Sequence, residues 1–214
     1  MVDNISLKTQ PTLALVDYGS GNLRSVAKAL EACGASVRLA TSDADLSHAD
    51  AVVVPGVGSF GDCARNLSES GLRQPILEWL QNDKPYLGIC LGYQLLFQSS
   101  EESPGAEGLG FFEGRVIRFP ESPLKIPHMG WNTLEMTSGP LYASAAPSAA
   151  YYFVHSYYPA PEDASLVSAW CDYGGVFAAS ISRGRVHATQ FHPEKSQKAG
   201  LELLSGFLRA LNDL

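Results

Sequence analysis

Two short stretches of this 214-residue sequence combine residue types that do covalent chemistry: Gly88-Ile89-Cys90-Leu91-Gly92 and His192-Pro193-Glu194. A thiol nucleophile needs a base that takes its proton and returns it to the leaving group, and imidazole titrates in the right range. The imidazole must also be held in one tautomer, which a carboxylate on its far nitrogen does. Cys90 is therefore the candidate nucleophile, His192 the base and Glu194 the orienting carboxylate, with Pro193 stiffening the backbone between the last two. A short apolar run ends at Cys90 and helix-compatible residues with Leu91, Leu95 and Leu96 follow, so the pattern reads strand, sharp turn, helix: a nucleophile elbow with sulfur in place of oxygen. Such a turn strains the nucleophile's backbone, and Gly88 and Gly92 remove β-carbons that would otherwise collide there. At the start of a helix, Cys90 meets unpaired N–H groups and the positive dipole end, which favour thiolate. Cys33, Cys63 and Cys171 read as small buried hydrophobes or loop positions.

Acyl transfer also needs donors aimed at the developing oxyanion. The N–H of Leu91, directly after the nucleophile, is one; a peptide of the Gly56-Val57-Gly58 loop is the other. Glycines there permit a peptide flip, so the hole can form only when needed. The reaction class is attack of a thiolate on an amide or ester carbonyl through a thioester, with water completing the turnover. Among the other histidines, His48 sits in a polar turn and His187 inside a strand, facing away from His192. His128 and His155 fall in loop-like contexts suited to substrate or partner contacts. Gly19 and Gly21 tempt a phosphate-cradle reading, but Arg24 or Ser25 stands where G-x-G-x-x-G needs its third glycine. The loop is a plain turn between strand and helix or faces a partner.

These residues need a scaffold. Buried-strand runs at residues 12–16, 36–40 and 51–54 alternate with helical spacing at 23–33 and 59–81, which implies parallel strands joined by right-handed crossovers. The loops at their carboxyl edge collect functional groups. After residues 103–105 the texture changes to a run of strands, several antiparallel, before a closing helix from about Ser196. The expected fold is α/β, a mostly parallel central sheet flanked by helices, with an additional antiparallel strand region. With 45% hydrophobic and 17% charged residues the chain buries a core as one domain, or at most one domain with an insertion. Residues 1–11 read as an N-terminal extension and 12–214 as the domain. The formal net charge of −7 argues against nucleic acid. No apolar stretch approaches a membrane span and no leader is evident, so the expected location is the cytoplasm. Four cysteines without C-x-x-C spacing fit neither a disulfide framework nor a zinc site. No metal and no cofactor is expected.

The same residues resemble the class I, or triad, glutamine amidotransferases, whose pattern is a P-G-x-G oxyanion loop, a G-x-C-x-G-x-Q elbow and a closing H-P-E: here Pro55-Gly56-Val57-Gly58, Gly88 through Gln94, and His192-Pro193-Glu194. More narrowly, Asp17-Tyr18-Gly19-Ser20-Gly21-Asn22-Leu23, Pro127-His128-Met129-Gly130-Trp131-Asn132 and His155-Ser156-Tyr157-Tyr158 resemble the glutaminase subunits of imidazole glycerol phosphate synthases. The resemblance implies a flavodoxin-like fold, hydrolysis of L-glutamine to glutamate and ammonia, and passage of ammonia to a (β/α)8 cyclase subunit in a heterodimer serving histidine biosynthesis. It also implies that Gly58, Gln94, Ser156 and Tyr157 contact glutamine, and that Asn22, Met129, Trp131, Asn132 and Lys195 face the partner. The competing readings are a glutaminase subunit of another synthase, such as the anthranilate type, a stand-alone thiol hydrolase, and a non-enzymatic interaction subunit with Cys90 merely buried.

Overall fold

The computed structural model describes residues 10–135, 137–146 and 148–211. Of the expected N-terminal extension, residues 1–9 lie outside the described residues.

The apolar runs become β1 (Thr12–Val16), β2 (Ser36–Ala40), β3 (Ala51–Val54) and β4 (Tyr86–Ile89). β3 and β4 are buried at every position, as strands covered on both faces must be. Between them run α1 (Leu23–Ala32), α2 (Asp43–Ser47), α3 (Phe60–Glu69) and α4 (Arg73–Gln81). α1 buries Val26, Ala29 and Leu30, and α3 buries Phe60, Cys63, Ala64 and Leu67, each an apolar stripe at helical spacing. Ser59 caps α3 by accepting the N–H of Asp62 at 3.2 Å. Pro75 sits in the first turn of α4, where its missing N–H has no intrahelical acceptor to lose.

The elbow leads into α5 (Leu91–Gln94), then β5 (Ser99–Ser100), β6 (Gly114–Arg118), β7 (His128–Thr133), β8 (Ala150–His155), β9 (Tyr157–Pro161), β10 (Val167–Asp172), β11 (Val176–Arg183), β12 (Val186–Thr189) and α6 (Gln197–Ala210). Among the described residues the main sheet has seven strands, in the order β10-β11-β12-β4-β3-β1-β2. β12, β4, β3, β1 and β2 run parallel, whereas β11 runs against them, pairing antiparallel with both β12 and β10. A three-stranded sheet β5-β6-β9 and the hairpin β7-β8 stand beside it. The expected α/β class and its antiparallel region are both present.

Three local readings change. The helix after the elbow is a single turn, because the segment that follows claims its carbonyls: the Leu95 oxygen accepts from Leu109 at 2.6 Å, and the Leu96 oxygen from Phe111 and Phe112 at 2.9 and 3.0 Å. His48 caps the C-terminus of α2, a short helix held by an Asp45 carboxylate that accepts the N–H groups of Thr41 and Ser42. His128 and His155 are not in loops; they face one another across the β7–β8 hairpin.

Candidate active site

Parallel pairing brings the site together. β12 runs beside β4 with Thr189 opposite Ile89, so both strands leave the sheet at one edge, Cys90 beside Gln190 and His192 two residues beyond. The Cys90 N–H still donates to Thr189 at 2.8 Å. The next step is the sharp turn: Cys90 adopts φ 56° and ψ −105°, a left-handed conformation that non-glycine residues reach only under constraint. Both flanking glycines are required, though the clash they avoid is with backbone carbonyls rather than neighbouring β-carbons. A β-carbon on Gly88 would lie 2.6 Å from the Gly92 oxygen, and one on Gly92 would lie 1.8 Å from the Val54 oxygen. Gly56 is equally confined: a β-carbon there would lie 2.4 Å from that of Leu91, so the Pro55-Gly56-Val57-Gly58 loop sits tight against the elbow.

His192 is fixed from both sides. Its N–H donates to Tyr152 at 2.9 Å and its carbonyl accepts from Ser196 Oγ at 2.6 Å, while Ser196 Oγ also accepts the Tyr152 N–H at 2.9 Å. The ring Nδ1 meets Glu194 Oε1 at 2.8 Å, both side chains buried. Nε2 is also buried and makes no hydrogen bond in this conformation; it is the nitrogen left for the Cys90 sulfur. Burial alone would pull the His192 pKa down, but the Cys90 sulfur and the Glu194 carboxylate outweigh it and push it up to about 10. The ring therefore keeps a proton at neutral pH, available to a leaving group.

Cys90, Leu91 and His192 open on a cleft of about 350 Å³ that Val57, Gly58, Gln94, Ser156, Tyr157 and Lys195 also line. All four expected substrate contacts are thus at one cavity. The two oxyanion candidates differ in state. Leu91 is the first residue of α5, so its N–H has no acceptor within the helix. The Val57 N–H donates to Ser20 Oγ at 3.2 Å, and the same hydroxyl donates to the Val57 carbonyl at 2.7 Å. Of the expected partner-facing residues, Asn22 is exposed at the N-cap of α1, and Met129 and Trp131 are 62% and 48% exposed on one face of β7. Asn132 lies on the opposite face of β7, half-buried. Lys195 is half-buried over the Tyr152 ring, 5.8 Å from its centroid, and Tyr152 in turn contacts Trp131.

The sequence reading missed three groups. Glu102 lines the cleft, with one carboxylate oxygen accepting the Phe60 N–H at 2.7 Å. Gln190, completely buried, points its Nε2 at the Cys90 sulfur at 3.8 Å and accepts from Gln94 on its Oε1 at 3.1 Å. Ser20 holds the oxyanion loop as described. Gln190 had a signal, its place directly after a strand parallel to the elbow strand; Glu102 and Ser20 come from loops whose return to the cleft no periodicity announces.

The glutamine amidotransferase class-I family model matches residues 14–211. The imidazole glycerol phosphate synthase subunit HisH of Syntrophotalea carbinolica is 48% identical over 202 residues, covering 91% of this chain and 98% of that one. The subunit of the same name from Methylococcus capsulatus is 50% identical over 209 residues, covering 92% and 96%. Among solved structures, a glutamine amidotransferase superposes with a TM-score of 0.74 at 20% identity, covering 94% of this chain and 98% of that one. PurLQS from Thermotoga maritima superposes with a TM-score of 0.72 at 18% identity, covering 94% and 99%. At that identity the structures establish a shared fold.

Proposed function

The chain belongs to the class-I glutamine amidotransferase family, and from that premise we propose that it is the glutaminase subunit of an imidazole glycerol phosphate synthase. It releases ammonia from L-glutamine for a (β/α)8 cyclase subunit, with which it forms a heterodimer in the cytoplasm. Residues 12–214 form the amidotransferase domain and residues 1–11 an extension to it. The observation that carries the chemistry is the strained Cys90 opening on the same cleft as a buried His192–Glu194 pair.

In the proposed cycle the proton of the Cys90–His192 pair rests on the ring, and the sulfur attacks the side-chain carbonyl carbon of glutamine as the thiolate. Negative charge moves to the carbonyl oxygen, where the N–H groups of Leu91 and Val57 receive it. Collapse of this intermediate breaks the C–N bond; His192 returns the proton to the leaving nitrogen, and ammonia departs from a thioester. Water, deprotonated by the same ring, then cleaves the thioester to glutamate and restores the thiolate beside the protonated ring. Glu194 keeps the ring in the tautomer that presents Nε2 to sulfur. Gly58, Gln94, Ser156 and Tyr157 surround the substrate, and the Glu102 carboxylate is the group in the cleft suited to an amino acid's ammonium.

Because the Val57 N–H is held by Ser20, one oxyanion donor is withheld in this conformation. Such a donor is worth about 3 kcal/mol, so the isolated chain is slow, and contact of the cyclase with Asn22, Met129, Trp131 and Lys195 shifts the loop to its donating state; Asn132, turned to the inner face of β7, is not part of that contact. The chain and a cyclase are mixed and supplied with either glutamine or free ammonia. Cys90→Ala abolishes synthesis from glutamine and spares synthesis from ammonia; loss of both, or of neither, overturns the assignment. Full glutaminase activity of the chain alone would favour a stand-alone thiol hydrolase.

A further inference from the structure

Behind the cleft, two buried imidazoles join the substrate-lining Tyr157 to the inner face of β7. His155 Nδ1 lies 2.9 Å from the Tyr157 carbonyl, His155 Nε2 lies 3.1 Å from His128 Nδ1, and His128 Nε2 lies 3.3 Å from Asn132 Nδ2. The direction of every hydrogen bond in this series follows from backbone groups at its two ends. Asn132 Oδ1 accepts the Thr133 N–H at 2.8 Å and Asn132 Nδ2 donates to the Asp172 carbonyl at 2.9 Å, so the amide can sit only one way round. Its second N–H must then donate to His128 Nε2, which leaves His128 Nδ1 to donate to His155 Nε2 and His155 Nδ1 to donate to Tyr157. The Tyr157 carbonyl also accepts from Gln94 Nε2 at 3.0 Å, and the other N–H of that amide goes to Gln190, whose own Nε2 faces the nucleophile. Gln94 Oε1 is left buried with no partner at the cleft, an acceptor awaiting a donor.

We propose that His128 and His155 are positioning residues: as a pair of neutral Nδ1–H imidazoles they fix the Tyr157 carbonyl, and through it Gln94, so that Gln94 Oε1 is presented to an N–H of the substrate. The surroundings keep both rings neutral. Burial lowers His128 to about 4 and His155 to about 3. Phe153 and Tyr173 stack on His128, and Phe119, Phe177 and Tyr158 close the cluster. The ionisable groups facing the pair are the phenol of Tyr173 and His192 across the cleft, while Tyr158 packs on Phe119. The Asp172 carboxylate is engaged by the Gly175 N–H at 3.1 Å.

The inference rests on glutamine as substrate, and the test separates the two. Nitrogen-15 NMR of the intact chain reads the tautomers without any substrate. Both rings should be neutral with the proton on Nδ1 at pH 7; a proton on Nε2 of either ring overturns the proposal whatever the substrate proves to be. In the complex with the cyclase, His155→Leu should raise KM for glutamine about tenfold, the equivalent of one lost hydrogen bond, with kcat within about threefold. His155→Asn, which keeps a donor near the Nδ1 position, should recover most of that loss. Asn132→Asp replaces the donor with an acceptor, so the pair lies between two acceptors and needs an extra proton; it should show a charged ring and a glutamine KM that rises as pH increases from 6 to 9. An unchanged KM in both His155→Leu and Asn132→Asp, with melting temperatures like wild type, would refute the positioning role.

Discussion

A single hydroxyl, Ser20 Oγ, occupies both the N–H and the C=O of Val57, at 3.2 and 2.7 Å, and Cys63 Sγ stands 3.2 Å from it. Deleting it leaves the Val57 peptide without its two anchors, each worth about 1 kcal/mol. Ser20→Ala should therefore raise glutamine hydrolysis by the isolated chain about tenfold, while the rate in the presence of the cyclase stays near wild type, as initial-rate assays would read. An unchanged isolated rate would mean that Ser20 does not hold the donor back. At this scale the legible residues were those whose spacing is itself the signal: Cys90 between two glycines, and Glu194 two residues after His192. Ser20, Glu102 and Gln190 escaped because their roles depend on which neighbour the fold supplies. The expectation that glycines let the oxyanion loop flip has a physical counterpart in Gly58, at φ 105° with nothing within 4 Å of a β-carbon.

The elbow depends on how closely β3, β4 and α5 approach. Gly92 lies so near β3 that a β-carbon would be 1.8 Å from the Val54 oxygen, and neither partner is a flexible side-chain end. Gly92→Ala should thus cost about 3 kcal/mol of stability by overpacking, and also displace Cys90, so that activity falls further than stability in a comparison of denaturant midpoints with glutaminase rates. A control is Gly105→Ala, in a loop with open space around a β-carbon but a φ of 87°, which should cost only backbone strain and leave activity unaffected. Equal midpoints for Gly92→Ala and wild type would show that the strands can part at no cost. The same closeness explains what periodicity read well and what it missed. Unbroken apolar runs such as Ala51–Val54 and Tyr86–Ile89 announce themselves, whereas α5 stops after one turn because residues 109–112 take the carbonyls of Leu95 and Leu96, tertiary bonds that no local pattern contains. His128 looked like a loop residue since a strand that holds Gly130 and Asn132 lacks the usual β-branched signature, and His155 because it is the last residue of β8, directly before Ser156 interrupts the run.

Across the whole molecule, four buried histidines set how stability varies with pH. His128, His155 and His187 are lowered by burial, to about 4, 3 and 4, so below the ordinary histidine pKa the unfolded chain binds protons that the folded chain refuses. Stability must fall as pH drops from about 6.5 toward 4, with a limiting slope of about 4 kcal/mol per pH unit if all three take part. His192 works in the opposite sense: with its pKa raised to about 10, its contribution is complete below about 6.5 and is lost as pH rises toward 10. The two trends meet near pH 6.5, which should be the stability maximum in urea unfolding followed from pH 4.5 to 9.5. Replacing His192 with Gln should flatten the alkaline limb and leave the acid limb intact, whereas His187→Gln, on the strand that carries His192 to the sheet edge, should shallow the acid limb alone. A flat alkaline limb in the wild-type chain would mean that the ring at the sheet edge holds no extra proton, and that the cycle starts from a thiol and a neutral imidazole, the ring taking the sulfur's proton before it gives one to the leaving nitrogen.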